Sequence, residues 1–110
     1  MTINTVAVIG SGTMGRGIAQ AAALAGHGVL LYDLTDEIVH KGLRTIRHSI
    51  EEGIRRGKTT VGDAAQTIAA LSPTTDLTEA ARADLVIEAV PEELELKLSL
   101  IHISEPTRPY

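Results

Sequence analysis

There is no cysteine in the chain. Disulfides, thiolate metal ligands and a cysteine nucleophile are therefore excluded. The same absence fits a cytoplasmic setting. Phenylalanine and tryptophan are missing too, and only two tyrosines represent the aromatics. Base-stacking platforms for single-stranded nucleic acid have no material to be built from. Excess positive charge is also absent: the net charge is −4, where a general nucleic-acid binder carries a basic surface. No run of about 20 apolar residues exists to span a bilayer. The N-terminus enters an apolar run without the basic segment of a signal peptide. Neither nucleic acid nor membrane is an expected partner. No carboxylate pair or ligand cluster suggests metal or acid–base chemistry, so the metal and catalytic sites are both expected to be none.

What remains is an ordinary globular composition, 44% hydrophobic and 22% charged over 110 residues. That length supports one small domain with a modest core. The stretch Thr5 to Asp33 organises it. Val6, Ala7, Val8 and Ile9 form a short apolar run suited to a strand buried on both faces. Gly10, Gly12 and Gly15 follow as G-x-G-x-x-G. The Ala-rich sequence from Ile18 to Leu24 favours a helix. Gly26 and Gly28 stop it, Val29 to Tyr32 make a second strand, and Asp33 sits at that strand's end.

Each glycine has a mechanical reason. Gly10 permits a tight turn, Gly12 lets a pyrophosphate approach the backbone, and Gly15 lets the helix pack on the strand. The helix N-terminus offers N–H groups and partial positive charge to phosphates. Asp33, 18 residues beyond Gly15, suits a carboxylate accepting from the adenosine ribose hydroxyls. It also repels a 2′-phosphate, and no Arg or Lys lies between Asp33 and Lys41 to receive one. The pattern points to NAD rather than NADP. FAD sites share the glycine fingerprint and remain an alternative, although they more often end the second strand in Glu.

Beyond Asp33, Thr35 or Asp36 can cap a new helix. Val39, Leu43, Ile46, Ile50 and Ile54 recur at helical spacing, and Gly57 ends that helix. Thr60 to Asp63 resembles a capping box with Asp in place of Glu. Val61, Ala64, Ala65, Ile68 and Leu71 then form a second stripe. Residues 35–71 thus read as a helical hairpin between two strands. Ser72 to Asp76 reads as a short edge strand, where Pro73 is tolerated, and Thr78 to Arg82 as a helical turn. Leu85 to Glu88 reads as a buried strand, and Pro91 suits the first turn of a helix. The predicted fold is α/β: a Rossmann-type doubly wound parallel sheet in order 3-2-1-4, truncated after the fourth strand, with the hairpin inserted between strands 2 and 3. The cofactor crevice is expected over strands 1 and 4.

V-A-V-I-G-S-G-T-M-G-x-G-I-A-Q, G-H-x-V-x-L-Y-D and D-L-V-I-E-A-V, with the hairpin and E-A-V-P-E-E-L-E-L-K, resemble the 3-hydroxyacyl-CoA dehydrogenases, in particular the bacterial 3-hydroxybutyryl-CoA type. The resemblance runs from about residue 5 to 97 and makes residues 1–97 a partial NAD-binding domain. It implies oxidation of (3S)-3-hydroxyacyl-CoA to 3-oxoacyl-CoA by hydride transfer to NAD. It implies that Gly10, Ser11, Gly12, Thr13, Met14, Gly15 and Asp33 hold NAD, with Glu92 and Lys97 also lining the site. It places the acyl-CoA thioester on the hairpin, where the family's serine falls on Ser49 and its lysine on Arg56, a departure. Two helical turns separate those residues, so they share a face, and an Arg there can meet a CoA phosphate bidentately. The family's His–Glu pair, with its serine and asparagine, belongs C-terminal to this stretch, as does the helical domain through which the parent forms a homodimer. None of the four histidines (His27, His40, His48, His102) fits that role. Two other readings stay open: an NAD-dependent dehydrogenase of the 3-hydroxyisobutyrate type, and a non-catalytic nucleotide-binding fragment.

Leu98 to Pro109 reads L-S-L-I-H-I-S-E-P-T-R-P, where Pro106 and Pro109 break any helix. The string resembles an in-frame translation of the mosaic-end adapter used in transposase-based sequencing libraries. Residues 98–110 are accordingly expected to be a non-native tail.

Overall fold

The computed structural model describes residues 3–89. Glu92, Lys97, the predicted helix after Pro91 and the tail lie outside the described residues. Four strands, β1 (Thr5–Ile9), β2 (Gly28–Tyr32), β3 (Leu71–Thr74) and β4 (Leu85–Glu88), alternate with helices. All pair in parallel, in the order β3-β2-β1-β4. Between them come α1 (Thr13–Leu24), the hairpin of α2 (Asp36–Arg55) and α3 (Val61–Ala69), and the short α4 (Leu77–Ala81). The chain steps from β1 to β2 to β3 in one direction. Right-handed crossovers then put α1 and the hairpin on one face, where they touch one another. The return to β4 reverses direction and carries α4 to the other face.

The core is built from small and branched residues because aromatics are scarce. Val6, Val8, Val29 and Leu31 on the sheet meet Ala19 and Ala23 of α1. Val39, Ile46 and Ile50 are buried along α2, with Leu43 and Ile54 packed beside them, as their helical spacing predicts. Thr35 caps α2, its Oγ accepting from Ile38 N–H, and Thr60 caps α3 by accepting from Asp63 N–H. Gly57, at φ +74°, ends the first arm of the hairpin. A long-range clip closes the sheet: Asp84 Oδ2 accepts from the N–H groups of Asn4 (2.8 Å) and Thr5 (3.1 Å), just ahead of β4. Those bonds hold the exposed Asp84 carboxyl below its usual value.

Several boundaries differ from the sequence pattern. α1 begins at Thr13, inside the glycine motif, so only Gly10 to Gly12 form the turn. Gly26, at φ +98°, ends that helix, whereas Gly28 opens β2. Leu71 starts β3 instead of closing the α3 stripe, because Ala70 already caps that helix. The largest difference is β4. Its apolar run reads as buried, but Leu85 and Val86 are 41% and 43% exposed. β4 is the edge of the described sheet, with β1 as its one described partner.

Candidate functional site

The turn after β1 is held from three directions. Gly10 adopts φ +107°, a conformation only glycine takes easily. Its N–H donates to Tyr32 O at 2.9 Å, tying the turn to the end of β2. Gly15 then packs directly on that turn: a Cβ at Gly15 would lie 1.8 Å from Gly10 O. From the opposite side comes α2. A Cβ at Gly42 would lie 3.0 Å from Ser11 Cβ and 3.4 Å from Leu31 Cδ2. Gly42 thus lets the hairpin close against the turn.

Gly12 is different in kind. It has φ −74°, open to any residue, and a Cβ there would meet nothing within 4 Å. Neither backbone conformation nor a neighbour among the described residues requires glycine at this position. Gly12 is also the N-cap of α1, so it brings no capping side chain, and the first turn of the helix contains no acid. Among the described residues, no side chain caps the leading N–H groups of α1.

Asp33 is locked to the same turn. Its Oδ2 accepts from Ser11 N–H at 2.8 Å and Ser11 Oγ–H at 2.6 Å, while Oδ1 accepts from Leu34 N–H at 2.8 Å. Burial pushes the carboxyl up, but those three donors together outweigh it and hold Asp33 below the usual carboxylate range. A carboxylate has about four acceptor positions, so capacity remains for a ligand. Asp33 is half-buried, whereas Ser11 is 4% exposed.

These groups line a cavity of about 500 Å³. It sits over the C-terminal ends of β1 and β2, against the first half of α2. The sequence places the crevice over strands 1 and 4; the chain after Ala89 lies outside the described residues. Gly10, Ser11, Gly12 and Asp33 all line the cavity. Thr13 and Met14 lie exposed on the first turn of α1. Residues without a sequence signal join them: Arg16, Leu34, Ile38, Lys41 and Gly42.

A second cavity, about 460 Å³, lies along the far half of α2. Ser49 and Arg56 both line it, together with Gln20, Glu52, Lys58 and Thr59. Ser49 and Arg56 are exposed. Arg55 is ion-paired with Glu52, while Arg56 makes no ion pair among the described residues. No group of three or more metal-ligating side chains occurs among the described residues, and no described helix is long and apolar enough to cross a membrane.

Comparisons with known proteins agree with this geometry. A family model described as "3-hydroxyacyl-CoA dehydrogenase, NAD binding domain" matches residues 5–108. The chain is 47% identical over 100 residues to 3-hydroxyadipyl-CoA dehydrogenase of Escherichia coli K12, covering 91% of this chain and 21% of that protein. It is 40% identical to the mitochondrial hydroxyacyl-coenzyme A dehydrogenase of Rattus norvegicus, covering 89% of this chain and 33% of that one. Among solved structures, 3-hydroxybutyryl-CoA dehydrogenase from Escherichia coli K12 superposes with a TM-score of 0.82 at 47% identity, over 91% of this chain and 21% of the other. The (S)-3-hydroxybutyryl-CoA dehydrogenase of Ralstonia eutropha gives 0.81 at 38% identity, over 91% and 35%. The chain therefore spans about a fifth to a third of the length of these relatives. The matches decide for NAD over FAD and for this family over the 3-hydroxyisobutyrate type. With its glycine turn, the acid at the end of its second strand and its 3-2-1-4 sheet, the chain belongs to the NAD-binding domain family of the 3-hydroxyacyl-CoA dehydrogenases.

Proposed function

We propose that this chain is the cofactor-gripping part of an NAD-dependent enzyme that oxidises (3S)-3-hydroxyacyl-CoA to 3-oxoacyl-CoA. The observation that carries the reading is the contrast between Gly15 and Gly12. Among the described residues, Gly15 is required by the packing of the protein itself, whereas nothing at Gly12 requires glycine, which leaves its smallness to be explained by a ligand. A pyrophosphate approaching the turn supplies that explanation. Gly10 to Gly15 would hold it on backbone N–H groups, and Asp33 would accept from the adenosine ribose. The exposed Leu34 and Ile38 offer the adenine an apolar flank. Glu92 and Lys97 would complete the NAD site, by family resemblance. When bound, NAD supplies the hydride acceptor. Ser49 and Arg56 would hold the CoA portion of the thioester. The His–Glu pair that handles the hydroxyl proton, and the domain through which the parent dimerises, lie outside this chain in this reading. A cysteine-free sequence supports a cytoplasmic parent.

Titrating the 110-residue chain with NAD by calorimetry tests the reading. Saturable binding is expected, without NADH formation from 3-hydroxybutyryl-CoA. Absence of NAD binding by a folded chain would sink the cofactor role. Turnover by the purified chain would refute the placement of the catalytic groups elsewhere.

A further inference from the structure

Sequence order hides two cations from Asp33. Arg16 precedes it on α1 and Lys41 follows it on α2, yet both line the cavity that Asp33 lines. Arg16 reaches back along the turn. Its Nη1 donates to Ser11 O at 3.1 Å and its Nη2 to Thr13 Oγ at 3.5 Å. Ser11 is also the residue whose N–H and hydroxyl hold the Asp33 carboxylate. Guanidinium and carboxylate thus flank one residue. They make no ion pair with each other, and Lys41 makes none with any described carboxylate. Asp33 is the single acid among the described residues lining this cavity.

We propose that Arg16 and Lys41 form a latent seat for a phosphate on the adenosine ribose, held closed by the Asp33 carboxylate. The inference rests on reading this cavity as the adenosine site. A 2′-phosphate near neutral pH carries close to two negative charges. The ionised Asp33 repels it and competes for the ribose edge. With that one charge removed, the described lining of the cavity keeps two cations and no acid. Arg16 is already oriented by its bonds to Ser11 and Thr13, so its fork loses little freedom on meeting a phosphate.

The test measures affinities of the 110-residue chain for NAD and NADP. Asp33→Asn removes the charge and keeps an oxygen to accept from Ser11 N–H. It should raise the NADP-to-NAD affinity ratio roughly tenfold or more, as expected for exchanging a repulsion for charged hydrogen bonds. Adding Arg16→Ala or Lys41→Ala in that background should return the ratio several-fold toward the starting value, and added salt should do the same. Loss of NAD binding with no rise in the ratio overturns the proposal. A second arm needs no change at Asp33. In the otherwise unaltered chain, Arg16→Ala and Lys41→Ala should lower residual NADP binding more than NAD binding. Equal losses would mark both cations as pyrophosphate contacts and overturn the seat. A folded chain that binds neither dinucleotide overturns the adenosine reading itself, a result distinct from binding NAD with an unmoved ratio.

Discussion

One helix separates two cavities of similar size. The first half of α2 brings Ile38, Lys41 and Gly42 to the cavity at the glycine turn. Its second half brings Ser49, Glu52 and Arg56 to the cavity beside α1 and the hairpin loop. The first is walled in part by the backbone of the glycine turn and by Gly42, with one half-buried carboxylate locked by three hydrogen bonds. The second is walled largely by residues of one helix face, with Ser49 and Arg56 exposed among them. A wall of backbone has few ways to change without changing the fold. A wall of exposed side chains can change without cost to the fold, and its contribution to binding is screened by water.

Gly15→Ala should break the first wall most completely. Its Cβ cannot be accommodated 1.8 Å from Gly10 O, so α1 must move off the turn. A cost of about 3 kcal/mol is expected, read as a fall in Tm of roughly 12 °C or more. An unchanged Tm would mean that the turn and helix are not in contact. Gly12→Ala is the matched control. It should cost less than about 1 kcal/mol of stability, the loss of a tolerated N-cap, while NAD affinity drops several-fold. Equal effects at the two glycines would erase the distinction between packing and ligand approach.

Asp33→Ala should weaken NAD binding by about 1–3 kcal/mol, the worth of hydrogen bonds to a charged group. It also has a pH signature. The folded carboxyl titrates below its ordinary value of 3.8. Its bonds therefore contribute stability that is complete above that pH and lost as pH falls through the lower folded value. Acid denaturation curves of the wild type and Asp33→Ala should separate above about pH 4 and converge below it. Parallel curves down to the lowest pH would show that Asp33 is not held in its ionised form.

The two walls also differ in how far they could be seen in the sequence. The turn was legible because one short stretch carries its strand, glycines, helix and acid, each residue acting on near neighbours. The sheet order followed from alternation and handedness, and the α2 stripe from helical spacing. Gly42 gave no signal, since only the packed structure brings it against Ser11. Arg16 and Lys41 look like solvated helix charges in the sequence and become cavity residues through the same packing. The clip from Asp84 to Asn4 and Thr5 joins ends some 80 residues apart, beyond any local pattern. The exposure of Leu85 and Val86 was illegible for a different reason. An apolar strand pattern records what a strand is built to face, and the described residues put β1 on one side of β4 and nothing on the other.

At the second cavity the expected effects are the smallest, and salt discriminates them. Ser49→Ala and Arg56→Ala should leave Tm unchanged, because both side chains are exposed and neither contributes to the core. Each should weaken binding of an acyl-CoA thioester by about 0.5–1 kcal/mol, typical of a partner held in water. The two losses should differ in character. If Arg56 meets a CoA phosphate, as proposed, its contribution should shrink as ionic strength rises and the Debye length falls to about 8 Å near 0.15 M. Ser49 offers only a neutral hydroxyl, and its contribution should not. Isothermal titrations of 3-hydroxybutyryl-CoA at two salt concentrations separate the pair. A salt-independent loss at Arg56 would mean that its aliphatic stem, not its guanidinium, meets the ligand. No loss at either position would leave the hairpin as a structural element of the domain, with its cavity unused by CoA.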